Sequence, residues 1–472
     1  MTDLDLLTAI ELSDGYRSGR FSPVEVTRAA LDTIAALDPA VHAFVLVDSE
    51  GALAAASESE RRWRHGRPLS PFDGVPAPIK DLLLTAAWPT LRGSRLLDAA
   101  GPWTEDAPAV ARLRESGSVL LGKTTTPEFG WKGVTDSPRY GPTGNPWDPA
   151  RTAGGSSGGS AAAVGLGMGT WSVGTDGGGS VRIPAGFTGT VALKPTYGLV
   201  PIYPPSPFGT LSHAGPMTRS VGDAAALLDI ISGFDPRDWS AMPTPAGSFL
   251  GGLSVPDLDL AGVRVAFSPR LGYVDNDPEI DAAVRVAVDV LAAAGARVEQ
   301  VDPGFADPEP AFQVLWFAGA AKVLEGRGPE QLAQIDPGLR RAAEQGATYS
   351  AADFLDATAV RMDLGRRMGE FHRRHDVLVT PTLPIPAFPA GQDVPDRWPS
   401  PWWTSWTPYT YPFNLTQQPA LTVPCGFSAA GLPVGLQVVG PRHADATVLR
   451  VGQAYQNRTD WQTRVPTVHG QR

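Results

Sequence analysis

The sequence predicts an α/β fold in which a mixed β-sheet core is covered by helices, and three stretches carry that prediction. Residues 263–267 alternate as a strand, 278–294 have the spacing of an amphipathic helix, and 296–301 alternate again. A strand, a helix and a strand in that order pair in parallel through a right-handed crossover. Residues 419–426 and 431–437 instead read as two strands joined by a turn, which makes the sheet mixed. Third, within 151–185 a tightly packed apolar helix (161–167) and a short buried strand (171–174) sit between two clusters of small residues.

The remaining elements follow in order. The 472 residues suffice for three domains or for one large α/β unit. Residues 4–48 read as helices. Ser22 and Glu25 form a capping box, Pro23 takes the first helical position, and Val26, Ala29, Leu31, Ile34 and Leu37 keep helical spacing. Alanine-rich 52–63 reads as another helix, so 1–70 is an N-terminal helical region expected to pack on the core. Residues 72–81 form a short apolar strand ending in Lys80; its ordinary place would be the surface, because lysine is almost never buried unpaired. Helix is expected at 108–114, strand at 118–123, and helix at 221–234. Residues 302–375 read as mostly helical without a recognisable motif. A buried strand (376–382), a proline- and tryptophan-rich loop (384–412) and a final helix (446–456) complete the pattern.

Charge and composition exclude several classes. The net charge is −10 without long runs, whereas a nucleic-acid surface needs a basic patch. The single cysteine, Cys425, rules out an internal disulfide framework and a Cys-rich metal site. The opening Met1-Thr2-Asp3-Leu4-Asp5 lacks the basic and apolar segments of a signal peptide, and no apolar run reaches the roughly 18 residues of a membrane span. A cytoplasmic protein with no membrane partner is expected.

The chemistry concentrates in the two clusters, Gly154-Gly155-Ser156-Ser157-Gly158-Gly159-Ser160 and Gly177-Gly178-Gly179-Ser180. Three glycines ahead of a serine leave a row of N–H groups able to face an anion, as an oxyanion hole beside a nucleophile requires. A flexible linker would not run directly into apolar elements, and a phosphate-binding P-loop would end in Gly-Lys-Ser/Thr. A serine nucleophile needs a neighbouring base. Of the seven histidines only His213 lies near the clusters; His42, His65, His372, His375, His443 and His469 fall in helical or loop contexts.

The stretch resembles the signature of the amidase signature family of serine hydrolases. It carries Gly-Gly-Ser-Ser-Gly-Gly-Ser and then Gly-Thr-Asp-x-Gly-Gly-Ser-x-Arg-x-Pro-Ala, with Ser180 at the family's spacing from Ser156. Gly-Val-Pro-x-x-Ile-Lys-Asp around Lys80 matches as well, and further landmarks extend to Gln437. Because these landmarks interleave, the resemblance implies one catalytic domain, 71–472, continuous with 1–70. It implies cleavage of carboxylic amide C–N bonds through an acyl-enzyme on Ser180, with Ser156, on a cis peptide bond, relaying the proton to Lys80. The N–H groups of Gly177, Gly178, Gly179 and Ser180 would hold the oxyanion. Asp176 and Arg182 would pair to hold the turn, and Ser157 would hydrogen-bond near the triad. Glu128 and Lys194 are expected to be structural, and Thr125 stands where the family commonly has asparagine. No metal and no organic cofactor is expected. Burial should lower the Lys80 pKa from about 10.4, with Asp81 facing the other side of the strand.

Loop 197–213 has no charged residue apart from His213, and 397–413 is rich in aromatic side chains. If the latter lines the cleft, Trp402, Trp403, Trp406 and Tyr409 bind substrate; otherwise they pack on the body of the protein. The expected substrate is a small uncharged apolar or aryl amide, with ester or carbamate activity alongside, and the expected assembly is a monomer or homodimer. One alternative is the A subunit of a tRNA-dependent amidotransferase, opposed by the acidic balance and the featureless 302–375. The other is a catalytically inactive binding protein of the same fold, opposed by intact Lys80, Ser156 and Ser180.

Overall fold

The parallel unit foreseen at 263–301 forms as expected. In the computed structural model, which describes residues 3–255, 258–466 and 468, strand Arg264–Phe267 pairs in parallel with Arg297–Gln300 and with Val377–Pro381. Helix Pro278–Ala293 is the crossover, begun by proline and by the Asp277 side chain, which accepts the Glu279 N–H. Strands Ala420–Phe427 and Pro433–Val439 form the antiparallel hairpin. Met1, Thr2 and His469 lie outside the described residues.

Among the described residues eleven strands form one mixed sheet. Its order is Phe44–Val47, Val119–Thr124, Pro76–Lys80, Ser172–Asp176, His213–Thr218, Val191–Lys194, Ala420–Phe427, Pro433–Val439, Val377–Pro381, Arg264–Phe267, Arg297–Gln300. Pro76–Lys80 runs parallel to both of its neighbours, which places Lys80 at the end of an interior strand.

The N-terminal capping box forms: the Ser22 hydroxyl accepts the Glu25 N–H at 3.2 Å, and the Glu25 carboxylate accepts the Ser22 N–H at 2.7 Å. The helical expectation for 4–48 fails at its end, however. After His42, whose φ is +52°, Phe44–Val47 is a strand pairing antiparallel with Val119–Thr124. The run Phe-Val-Leu-Val suits a strand, and the partner that selects it lies far along the chain. Residues 302–375 are mostly helical, as expected, with long helices Glu309–Leu324 and Ala351–Phe371.

One hydrophobic cluster, largely aliphatic, packs Val221–Ile231, Pro278–Ala293 and Asp445–Gln456 on the sheet. A second is aromatic and includes Trp131, Phe187, Phe312, Trp316, Trp403 and Trp406. Among the described residues no helix is long and apolar enough to cross a membrane.

Candidate active site

Every residue of Pro76–Lys80 is buried, so the Lys80 side chain has only protein to meet. Its Nζ lies 2.7 Å from Ser156 Oγ, 2.7 Å from Ser157 Oγ and 2.9 Å from Thr175 Oγ1. Three hydroxyls and no carboxylate surround the amine. Burial therefore pulls its pKa well below the ordinary lysine range, with the Asp176 charge opposing and losing. Asp81 faces elsewhere, as expected. It sits 3.8 Å from Lys123 Nζ, accepts the Leu91 N–H at 3.2 Å, and is pushed up to about 6 by burial.

The direction of each hydroxyl proton follows from its other partners. Ser157 Oγ lies 3.2 Å from the Thr175 carbonyl, which can only accept, so its proton goes there and its lone pair receives Lys80. Ser156 Oγ has no other hydrogen bond among the described residues, which leaves its proton free to point at a neutral amine. The Gly155–Ser156 peptide is cis. Gly155 is required there, since an added Cβ would lie 2.4 Å from the Val134 backbone. Ser157 N–H donates to Ser180 C=O at 3.1 Å, tying the two clusters together. Ser156 and Ser180 open on the same pocket.

Asp176 and Arg182, both fully buried, make a bidentate pair with two contacts of 2.9 Å. Burial would raise the Asp176 carboxyl, but the Arg182 guanidinium overrides it, aided by Lys194 and Asn414, and holds it well below the usual range. Arg182 continues outward to Thr410 C=O at 2.9 Å, Gln437 Oε1 at 2.8 Å and Asn414 Oδ1 at 2.7 Å. Gln437 closes the last landmark of the resemblance, whereas Thr410 and Asn414 were not singled out from the sequence, where nothing local marks them.

The oxyanion row needs one correction. The Gly179 N–H donates to Asp176 Oδ1 at 2.8 Å, so the side chain that shapes the turn has already taken that donor. Gly177, Gly178 and Ser180 keep N–H groups without partners among the described residues. At Gly178 an added Cβ would meet the Phe312 ring at 2.7 Å and the Trp403 ring at 2.8 Å.

Structural expectations for the flanking residues are met. Glu128 is buried, accepting from Ser94 Oγ and from Asp336 N–H at 2.6 Å each. Lys194 Nζ donates to the Gln418 carbonyl. Thr125 replaces an amide contact with its hydroxyl, 2.7 Å from Thr143 Oγ1. His213 also lines the pocket. Its Nδ1 lies 2.8 Å from the Leu211 carbonyl, and burial, then the Lys194 charge, holds its pKa well below the usual value.

The pocket wall is apolar for a different reason than the sequence suggested. Trp403, Trp406 and Tyr409 are buried in the aromatic cluster, and Trp402 packs on Phe317 at 4.7 Å; none of the four lines the pocket. Trp406 stacks on Phe187, and the Tyr409 hydroxyl donates to the Pro269 carbonyl at 2.7 Å. Leu83, Phe129, Tyr203, Phe208 and Trp316 form the wall instead, with Phe208 stacked on Trp316 at 3.8 Å. Arg92 also lines it, a charged residue that sequence reasoning missed. Among the described residues no group of three or more His, Cys, Asp or Glu could hold a metal ion.

The family model described as Amidase matches residues 25–449. The chain belongs to the amidase family. Its sheet, helices and connectivity are those of the amidase signature fold in a single domain. This amidase-family chain is 30% identical to a bacterial aryl acylamidase of known structure, with a TM-score of 0.89 and 97% of each chain covered. A 6-aminohexanoate cyclic dimer hydrolase superposes with a TM-score of 0.88 at 28% identity, covering 99% of each. Among curated relatives, the A subunit of Glutamyl-tRNA(Gln) amidotransferase from Chloroflexus aggregans is 39% identical over 99% of both chains. Acylamidase of Rhodococcus erythropolis is 37% identical over 99% of this chain and 98% of its own.

Proposed function

We propose that this protein is an amidase that hydrolyses carboxylic amides through an acyl-enzyme on Ser180, using Ser156 and Lys80 as a proton relay. The observation that carries this is the buried Lys80 amine, 2.7 Å from a Ser156 hydroxyl with an uncommitted proton, beside a second serine on the same pocket. Ser180 Oγ attacks the carbonyl carbon. Its proton passes to Ser156 Oγ, and the Ser156 proton passes to Lys80 Nζ. The oxyanion accepts from the N–H groups of Gly177, Gly178 and Ser180. As the C–N bond breaks, Ser156 protonates the leaving amine and recovers a proton from Lys80; water then repeats the relay and frees the acid. The scheme calls for no metal and no organic cofactor. Residues 1–70 and 71–472 act as one unit in this reading, supported by the pairing of Phe44–Val47 with Val119–Thr124.

The substrate is a small amide, uncharged around the scissile bond, whose apolar or aryl part lies against Phe129, Phe208 and Trp316, with esters and carbamates as further substrates. Ser180→Ala is expected to abolish turnover and fluorophosphonate labelling while keeping the folded spectrum; near wild-type rates would refute the assignment. A second reading, as the A chain of an amidotransferase that works with partner proteins, is favoured by the 39% identity to the Chloroflexus aggregans protein. Hydrolysis of aryl amides by the chain purified alone supports the free amidase, and activity only with added partner proteins supports the other.

A further inference from the structure

Arg92 is the single charged side chain on the pocket wall among the described residues. Its backbone meets two neighbouring segments. The C=O accepts from Phe129 N–H at 2.8 Å, and the N–H faces the Asp81 carboxylate. Arg92 lines the pocket, and its guanidinium has no hydrogen bond or ion pair among the described residues. Asp81 is the carboxylate whose charge it feels, yet Asp81 is committed to Lys123 at 3.8 Å and to the Leu91 N–H. Asp81 acts on both Lys123 and Arg92, Asp106 adds to Lys123, and Arg92 has no second carboxylate of its own among the described residues. Guanidinium presents its donors in a planar fork, and a carboxylate meets that fork with two parallel hydrogen bonds.

We propose that Arg92 is a specificity-determining residue that binds a carboxylate on the substrate, so that preferred substrates join an apolar or aryl body to an acidic group remote from the scissile bond. The proposal rests on the assignment of this pocket as the amide-hydrolysing site. It names the substrate class that such a wall selects: neutral and apolar where the chemistry occurs, anionic at the end that meets Arg92.

Matched pairs test it. Glutaryl para-nitroanilide against valeryl para-nitroanilide places the carboxylate on the acyl side; N-butyryl-para-aminobenzoate against butyranilide places it on the amine side. The carboxylate member of one pair is expected to exceed its neutral partner in kcat/KM by about ten- to a hundredfold, the range of a charge-assisted hydrogen bond. Dissociation constants measured calorimetrically on Ser180→Ala should show the same ratio. Arg92→Met should bring that ratio to about one, and Arg92→Lys should retain part of it. A ratio near one in the wild-type protein for both pairs overturns the proposal, as does a ratio that survives Arg92→Met. Should Ser180→Ala still hydrolyse these compounds, the nucleophile assignment falls, and the kcat/KM ratios still decide the role of Arg92.

Discussion

Two regions meet behind the turn at 177–180, and they are held together differently. Around Lys80 the interior consists of small residues joined by hydrogen bonds: Ser156, Ser157 and Thr175 on the amine, and Asp176 with Arg182 under the turn. Behind the same turn, 397–413 is held by rings: Trp403 lies 5.6 Å from Trp316 and 6.0 Å from Phe312 by centroids. In the first region each atom has a direction, because a buried donor or acceptor left unmade costs about 1–3 kcal/mol. In the second, volume is what matters. Small polar residues joined in a buried network hold directions, whereas the tryptophans, which the sequence left open between cleft and packing, turn out to pack.

Substitutions that respect this contrast should separate rate from stability. The largest effect belongs to the relay. Ser156→Ala and Lys80→Ala should each cost about a thousandfold or more in kcat, and the double variant should be little worse than either, since members of one unit are not additive. Additive losses in single-turnover kinetics would dissolve the unit. Next comes Arg182→Met, which strands a buried carboxylate. It should lower stability by about 3–5 kcal/mol in denaturant unfolding and take activity with it. An unchanged midpoint would mean that the turn does not depend on the pair.

The aromatic region should answer in stability with rate following weakly. Trp403→Ala should cost about 3–5 kcal/mol, whereas Trp403→Phe should cost less, because the buried indole N–H has no partner among the described residues to lose. Equal costs for the two would show that the indole nitrogen matters after all. The smallest effect is graded by pH. In the proposed relay Lys80 works only when neutral, and its pKa lies below the ordinary range, so kcat/KM should fall about tenfold per unit as pH drops beneath that lowered pKa. An acid optimum, or an acid limb unchanged in the residual rate of Lys80→Ala, would assign the limb to another group.

What could be read in advance divides along the same line. Asp176 and Arg182 lie within seven positions, so their pair is encoded locally and was legible, as was the helical spacing of 278–294. Thr410 and Asn414 escaped notice, and Gln437 stood only as the end of a landmark, because only the folded sheet brings the three beneath the turn. Arg92 escaped for a related reason: an arginine before glycine looks like any loop residue until the fold sets it among the residues that line the pocket. Gly179 was misassigned because glycine permits an exposed N–H without saying who takes it. Phe44–Val47 became a strand through a partner more than seventy positions away.

The Arg182 clamp reaches from the signature turn to Gln437, so its last contact is synthesised 255 positions after the arginine itself. Until that contact closes, the guanidinium lacks an acceptor that it needs in the dry interior. A nascent chain on the ribosome would thus carry the proposed nucleophile long before it could use it. Ending the chain ahead of residue 410 should leave no catalyst at all rather than a slower one, and the onset of hydrolysis should mark the moment at which the far edge of the chain has docked.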